Sequence, residues 1–357
     1  MTQIPKSPKP YLAQGSFGRS PWALGLFLLI LLALIAWLSL SQGYVTIEPK
    51  EIWDILWAKY LGLELDPRGQ IIWESRLPRM ATAMAAGAAL GLSGCVFQGL
   101  LLNPLADPYT LGVSSGAALG ASGVILLGFF GPVWLSNPLM PTAGAFLGAG
   151  LALISVLALA RQKDGRYPPT NLILSGVILS AILSAALSFF KYLAGDQVSS
   201  IVFWLLGSFL ARTWVDAFLV MGFFLPAFLV SLWSAVDLNV MTLGLGPAKT
   251  LGVNVQAARV RLLAAASLAA ASAVAVSGVI GFVGLITPHL TRLAVGPDHR
   301  ALIPLSALAG ATLLSGADLV ARVVLPGEIP VGVLTATLAG PVFLAIFRKK
   351  ARELANA

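Results

Sequence analysis

RLPRMATAMAAGAALGLSGCVFQGLLLNPLADPYTLGVSSGAALG, the stretch from Arg76 to Gly120, decides how this chain is read. Two apolar runs rich in glycine, alanine and serine flank the turn Asn103-Pro104-Leu105-Ala106-Asp107-Pro108, and two arginines, Arg76 and Arg79, stand at the far end of the first run. Small residues let membrane helices approach one another closely. Non-helical backbone at membrane depth is tolerated only against protein or beside a water-filled cavity. The stretch therefore predicts two packed spanning helices, a pathway through the membrane and a gate across it.

Composition points the same way. Of the 357 residues, 57% are hydrophobic and 11% charged, against about 25% charged in a soluble domain. An all-α polytopic membrane protein is expected. The net charge of +8, from 23 basic and 15 acidic residues, invites a nucleic-acid partner. The basic residues sit instead at the ends of apolar runs, the positive-inside pattern, so no nucleic acid is expected. Cys95, the single cysteine, lies inside an apolar run and reads as a small buried hydrophobe. Residues 1–20 are polar and proline-rich and the first apolar run is long enough to span, so no cleavable signal is expected.

Apolar runs fall at about 22–41, 80–102, 111–131, 139–160, 171–193, 214–236, 260–279, 281–296, 304–325 and 331–347. The seventh and eighth are nearly continuous from Leu262 to Val295. As one helix that run would be about 50 Å long, against a hydrocarbon core of about 30 Å. It must fold back, and Ser277-Gly278 with Gly281 and Gly284 is the natural place. Ile201 to Leu210 is apolar but too short to cross, which suggests a half-helix near one surface. With both termini inside, about 15 of the 23 basic residues lie on inner segments. Ten crossings satisfy that orientation; eight do so if two short runs are re-entrant. The domain reading is a cytoplasmic tail at 1–21, one transmembrane unit at 22–347 and a cytoplasmic tail at 348–357.

Two polar segments are long enough to carry structure. In the outer one, 42–76, EPKEIWDILWAKYLG spaces Ile52, Ile55, Leu56 and Lys59/Tyr60 as an amphipathic helix lying on the surface. The inner one, 237–259, has too many glycines for one long helix and too many apolar residues for a free loop. Two short helices pressed against another protein explain it; a loop lying on the bilayer surface is the alternative.

Chemistry is defined mostly by what is missing. Leu245-Gly246-Pro247-Ala248-Lys249-Thr250 comes nearest to a phosphate-binding loop, but Ala248 stands where glycine is needed. The chain is not expected to hydrolyse ATP. His289 and His299 are not spaced as a metal pair and have no carboxylate cluster beside them, so no metal site is expected. Secondary carriers place ionisable relays within their spans. Here only Asp318 qualifies clearly, and Arg322 at i+4 is spaced to neutralise it. A self-sufficient carrier or channel and an intramembrane enzyme are both disfavoured, and an energy-supplying partner is expected.

These motifs, taken in order, resemble the permease subunits of ABC importers for iron chelates and cobalamin, which have the ten-helix type II importer fold. The resemblance covers nearly the whole chain from Trp22. It rests on RLPR at Arg76–Arg79, Gly87–Gln98 with NPLADP, Leu111–Ala121, Leu243–Val253, Gly281–His289, Gly296–Arg300, Ala317–Arg322 and Pro330–Phe343. It implies two permease copies around a central pathway in the cytoplasmic membrane of a bacterium or archaeon. It also implies two cytoplasmic ATPase subunits that bind ATP and magnesium, and a solute-binding protein outside.

The resemblance further implies residue roles. Asn103, Pro104 and Leu105 would form the inner gate, flanked by Tyr167–Thr170, which departs from the small polar residues usual there. Ser180, Ser184 and Ser188 would line the pathway, unless they only pack helices together. Arg76, Arg79 and Arg322 would pair with acidic residues of the binding protein, unless lipid headgroups or the Asp318–Arg322 pair take them. Leu243, Gly244, Ala248, Leu251 and Gly252 would contact the ATPase, although Leu245 stands where an acidic residue is common. Ferric siderophore, haem, cobalamin and molybdate are the cargoes such permeases carry, with ferric siderophore the first expectation.

Overall fold

The computed structural model describes residues 20–132, 137–324, 327–341 and 348. Most of the expected tails, and the last span beyond Pro341, lie outside the described residues. Every regular element among the described residues is helical. Helix α1 (Pro21–Ser41) is followed by the surface helix α2 (Pro49–Tyr60). The short α3 (Pro67–Gln70) runs through a π-turn, Ile71–Arg76, into α4 (Leu77–Leu101). Then come α5 (Val113–Phe130), α6 (Leu139–Ala160), α7 (Pro169–Leu193), the short α8 (Val198–Leu205) and α9 (Trp214–Trp233). Short helices α10 (Ala235–Thr242) and α11 (Leu245–Thr250) precede α12 (Val255–Ser277), α13 (Val283–Val295) and α14 (His299–Val323). A last apolar helix, α15, is described over Val331–Pro341.

Among the described residues, seven helical segments are long and apolar enough to cross a membrane, and α5 and α15 are shorter apolar helices. The eighth expected span, 281–296, is found as α13 over Val283–Val295. The run from Leu262 does break at Ser277-Gly278, where Gly278 takes φ +72°. The chain then continues without helix to Val283, and α13 at about 1.5 Å per residue is only about 20 Å long. Irregular backbone at this depth needs internal partners. Ser277 O accepts from Ser208 N–H at 2.8 Å, Gly278 N–H donates to Val274 O, and the Tyr109 hydroxyl donates to Ile280 O.

Helix α4 is the axis of the bundle, buried along nearly all its length and packed against α9, α12, α13 and α14. Glycine makes these approaches possible. A Cβ on Gly94 would stand 1.7 Å from Gly284 O, and one on Gly87 would stand 2.3 Å from Gly310 O. The same device joins α5 to α6, where a Cβ on Gly120 would meet Gly144 O at 2.0 Å. Outward, α7 buries only Leu172, Ser175 and Gly176, and leaves Leu174, Val177, Ile178 and Ile182 uncovered. Such a face suits lipid or another apolar helix. Helix α2 is amphipathic, with Ile52 and Ile55 buried and Trp53 and Trp57 exposed; Lys59 and Tyr60, expected on the face of Ile52, are exposed as well.

Candidate functional site

The turn that follows α4 is built by local rules. Leu102 takes the left-handed conformation at φ +51° and ends the helix. Asn103 then folds the chain, its Oδ1 accepting from Leu105 N–H at 3.0 Å while its carbonyl accepts from Ala106 N–H at 3.1 Å. Asp107 caps the 3₁₀ turn Pro108–Leu111 through Thr110 N–H at 3.0 Å, and Gly112 at φ +76° starts α5. Leu102 and Leu105 are exposed, whereas Ala106, Asp107 and Pro108 are buried. Two apolar side chains therefore project from a turn anchored behind them.

Helix α7 packs directly on that turn. A Cβ on Gly176 would stand 2.2 Å from Thr110 O, and Ser180 Oγ lies 3.3 Å from where a Gly112 Cβ would be. Ser180 thus sits against the start of α5, with its hydroxyl buried and without a hydrogen-bond partner among the described residues. Ser184 is exposed, and the Ser188 hydroxyl donates to Ser184 O at 3.0 Å. The three serines share a helix but not one environment.

Two short helices, α10 and α11, do form in and just before the stretch 237–259. Leu243 and Leu251 are 62% and 65% exposed, which leaves two large apolar side chains facing away from the bundle. Gly244 at φ +111° and Gly252 at φ +80° make the turns that present them. Ala248 differs from its neighbours and faces the core. Leu238 on α10 packs beside Gly99 in the last turn of α4, so this stretch lies at the Asn103 end of the bundle.

At the opposite end the arginines are engaged internally. Arg79 is held between two carboxylates, with Nη2 2.8 Å from Asp318 Oδ1 and Nη1 2.9 Å from Glu328 Oε2. The expected Asp318–Arg322 pair does not form. Arg79 takes Asp318 through Nε as well, at 3.0 Å, as its planar fork allows. Arg322 instead donates from Nη2 to Ser39 O and Oγ, at 3.0 and 2.7 Å. Arg76 donates to Leu40 O and Val45 O. The physical reason lies in α1, which has no basic residue in its last turn. A helix leaves its last four carbonyls unpaired and carries partial negative charge there. Leu38 O receives Gln42 N–H, Ser41 O receives Ile47 N–H, and the two arginines satisfy Ser39 and Leu40.

Three features escape a reading of the sequence. Glu328 lies ten residues from Asp318 on another segment, and nothing local marks it as an arginine partner. Gln98 bridges α4 to α13, donating to Leu285 O at 3.1 Å and accepting from Arg292 Nη1 at 3.0 Å. Asn239 joins α10 to the start of α14, where Asp298 caps the helix. Arg300 beside it, with Nη2 2.7 Å from Oδ2, holds the Asp298 carboxyl well below the usual range. Only the Asp-His pair at a helix start offered a signal there. No group of three or more His, Cys, Asp or Glu among the described residues could hold a metal ion.

Comparison with known proteins gives a consistent answer. The model of the FecCD transport family matches residues 29–349. The uncharacterized ABC transporter permease protein YvrB of Bacillus subtilis is 43% identical over 322 residues, covering 88% of this chain and 90% of that protein. The hemin transport system permease protein HmuU of Yersinia pestis is 38% identical over 334 residues, 92% of this chain and 96% of its own. A solved structure described as an inward-facing conformation of a metal-chelate type ABC transporter superposes with a TM-score of 0.79. It is 34% identical, and the match spans 92% of this chain and all of that one.

Proposed function

Because the chain belongs to the FecCD transport family and is an ABC transporter permease, we propose that it imports a metal chelate as the transmembrane part of an ATP-driven complex. One observation carries the reading. The exposed Leu243 and Leu251 lie at the same end of the bundle as the Asn103–Leu105 turn, so a partner seated on 237–259 acts beside the gate.

In this reading two copies meet across a central pathway, and the uncovered face of α7 supplies apolar surface for that contact and for lipid. The chain makes ten crossings of the cytoplasmic membrane with both termini inside. Two ATPase subunits bind ATP and magnesium and grip the inner stretch through Leu243 and Leu251, with Gly244, Ala248 and Gly252 shaping it. A solute-binding protein docks on the rim of Arg76, Arg79 and Arg322. Its carboxylates compete there with Glu328, the more exposed of the two acids on Arg79. Cargo passes along α7 near Ser180, Ser184 and Ser188, and leaves when the Asn103-Pro104-Leu105 turn opens. No covalent step falls to this chain.

The proposed cargo is a ferric siderophore, with haem, cobalamin and molybdate as alternatives within the same family; similarity to a hemin permease supports haem among these. Co-purification with the cognate binding protein, followed by mass spectrometry of its bound ligand, tests the cargo class. An iron chelate is expected. A sugar, peptide or free metal cation would contradict the reading.

A further inference from the structure

Helix α10 touches the last turn of α4 in two ways, one direct and one through α14. Leu238 Cδ1 and Cδ2 each lie 3.1 Å from where a Cβ on Gly99 would stand. The next residue, Asn239, is a junction. Its Oδ1 accepts from the His299 backbone N–H at 2.9 Å and faces His299 Nδ1 at 2.7 Å, while its Nδ2 donates to Asp298 Oδ1 at 2.8 Å. An acceptor opposite Nδ1 fixes the tautomer: Nδ1 carries the proton and Nε2 is bare.

That bare nitrogen is buried and has no hydrogen-bond partner among the described residues. It lies 2.7 Å from the Gly99 Cβ position, so the imidazole rests on the glycine backbone. A buried polar atom left unpaired is costly and calls for an explanation. Here the ring is held in place from the α10 side and pressed against α4 on the other. Gly99 lies three residues before Leu102, whose left-handed φ begins the gate turn. Close-packed interiors transmit displacement because they compress little. Gln98, next to Gly99, is tied to α13 through Leu285 O and Arg292, so the last turn of α4 has a fixed side and a driven side.

We propose that Asn239, His299 and Gly99 are positioning residues that convey movement of α10 to the Asn103–Leu105 turn. This rests on the reading of residues 237–259 as the stretch that the ATPase moves. Leu238 supplies the direct push. The Asn239–His299 hydrogen bonds keep α10 and α14 moving as one body, so that the push reaches the turn rather than sliding past α4.

The test uses the whole complex, permease with ATPase subunits and binding protein, in lipid nanodiscs. The permease carries Cys95→Ala and Leu105→Cys, and the rate at which a water-soluble maleimide modifies position 105 is measured with and without ATP. In the parent, ATP is expected to change that rate on the order of tenfold. Asn239→Ala and His299→Gln are each expected to abolish the change, and in His299→Gln, which lies outside 237–259, ATP hydrolysis is expected to stay within about twofold of the parent. An unaltered ATP response in both variants overturns the proposal and leaves the coupling reading standing. So does joint loss of hydrolysis and response in both, which would make the residues necessary for assembly only. No ATP response in the parent overturns the coupling reading itself, and the proposal with it.

Discussion

Arg79→Met isolates the buried charge network at the rim. The Arg79 side chain is 9% exposed and Asp318 only 2%, and their contact uses Nε and Nη2 with distances from 2.8 to 3.1 Å. Methionine keeps most of the volume and removes the cation, leaving the Asp318 carboxylate buried without its partner. Removing one member of a buried pair costs about 3–5 kcal/mol, far more than the pair contributes over an apolar replacement. Arg79→Met should therefore lose about 3–5 kcal/mol, whereas the double replacement Arg79→Met with Asp318→Leu should recover to within about 1 kcal/mol of the parent. Glu328 is 26% exposed, so solvent screens it and Glu328→Gln should cost about 1 kcal/mol or less. The assay is reversible unfolding of the purified permease in mixed micelles, read by tryptophan fluorescence. A loss below about 1 kcal/mol in Arg79→Met, or a double variant no more stable than the single one, would refute the assignment of Asp318 to Arg79.

Further outcomes follow from the same geometry. Gly94→Ala, whose new methyl would stand 1.7 Å from Gly284 O, should cost about 3 kcal/mol or more in that assay. Gly150→Ala on α6, with nothing within 4 Å, should stabilise by about 0.5–1 kcal/mol. Asp298, held below the usual carboxylate range by Arg300 and by Asn239, should stabilise the fold above its unfolded pKa of about 4 and lose that contribution as the pH falls toward its lower folded value. The stability gap between the parent and Asp298→Asn should accordingly be full at neutral pH and close below about pH 4; a gap that widens on acidification would show the opposite shift. Leu243→Asp with Leu251→Asp should leave unfolding within about 0.5 kcal/mol, since both side chains are exposed, yet abolish co-purification with the ATPase subunits.

How much of this was legible in the sequence depends on the range of the physics involved. Helix positions came through because a membrane demands long apolar runs, and the break at Ser277-Gly278 came through because no helix of that length fits the bilayer. The turn after α4 was readable for the same local reason: Asn-Pro and Asp-Pro carry their own geometry. The amphipathic α2 followed from spacing, and the paired short helices of 237–259 from their glycine and apolar content. The run expected at 281–296 is matched by α13 at Val283–Val295, whereas the partners that hold the backbone before it, Ser208 on Ser277 O and Tyr109 on Ile280 O, are distant in sequence and were not readable. Asp318 was assigned to Arg322 because i, i+4 proximity is visible in sequence, whereas the competing claims of α1's carbonyls on Arg322 and of Arg79 on Asp318 are tertiary facts. Glu328, Gln98 and the Asn239–His299 junction were out of reach for that reason too.

The central claim is that this chain is a conduit driven by others, and uptake into proteoliposomes tests it most directly. The permease is reconstituted alone, or with ATPase subunits enclosing ATP and binding protein outside, and offered radio-labelled ferric hydroxamate chelate and hemin in parallel. Accumulation of one probe only when all components and ATP are present is the predicted result. Uphill accumulation by the permease alone, driven by a proton or sodium gradient, would contradict the account.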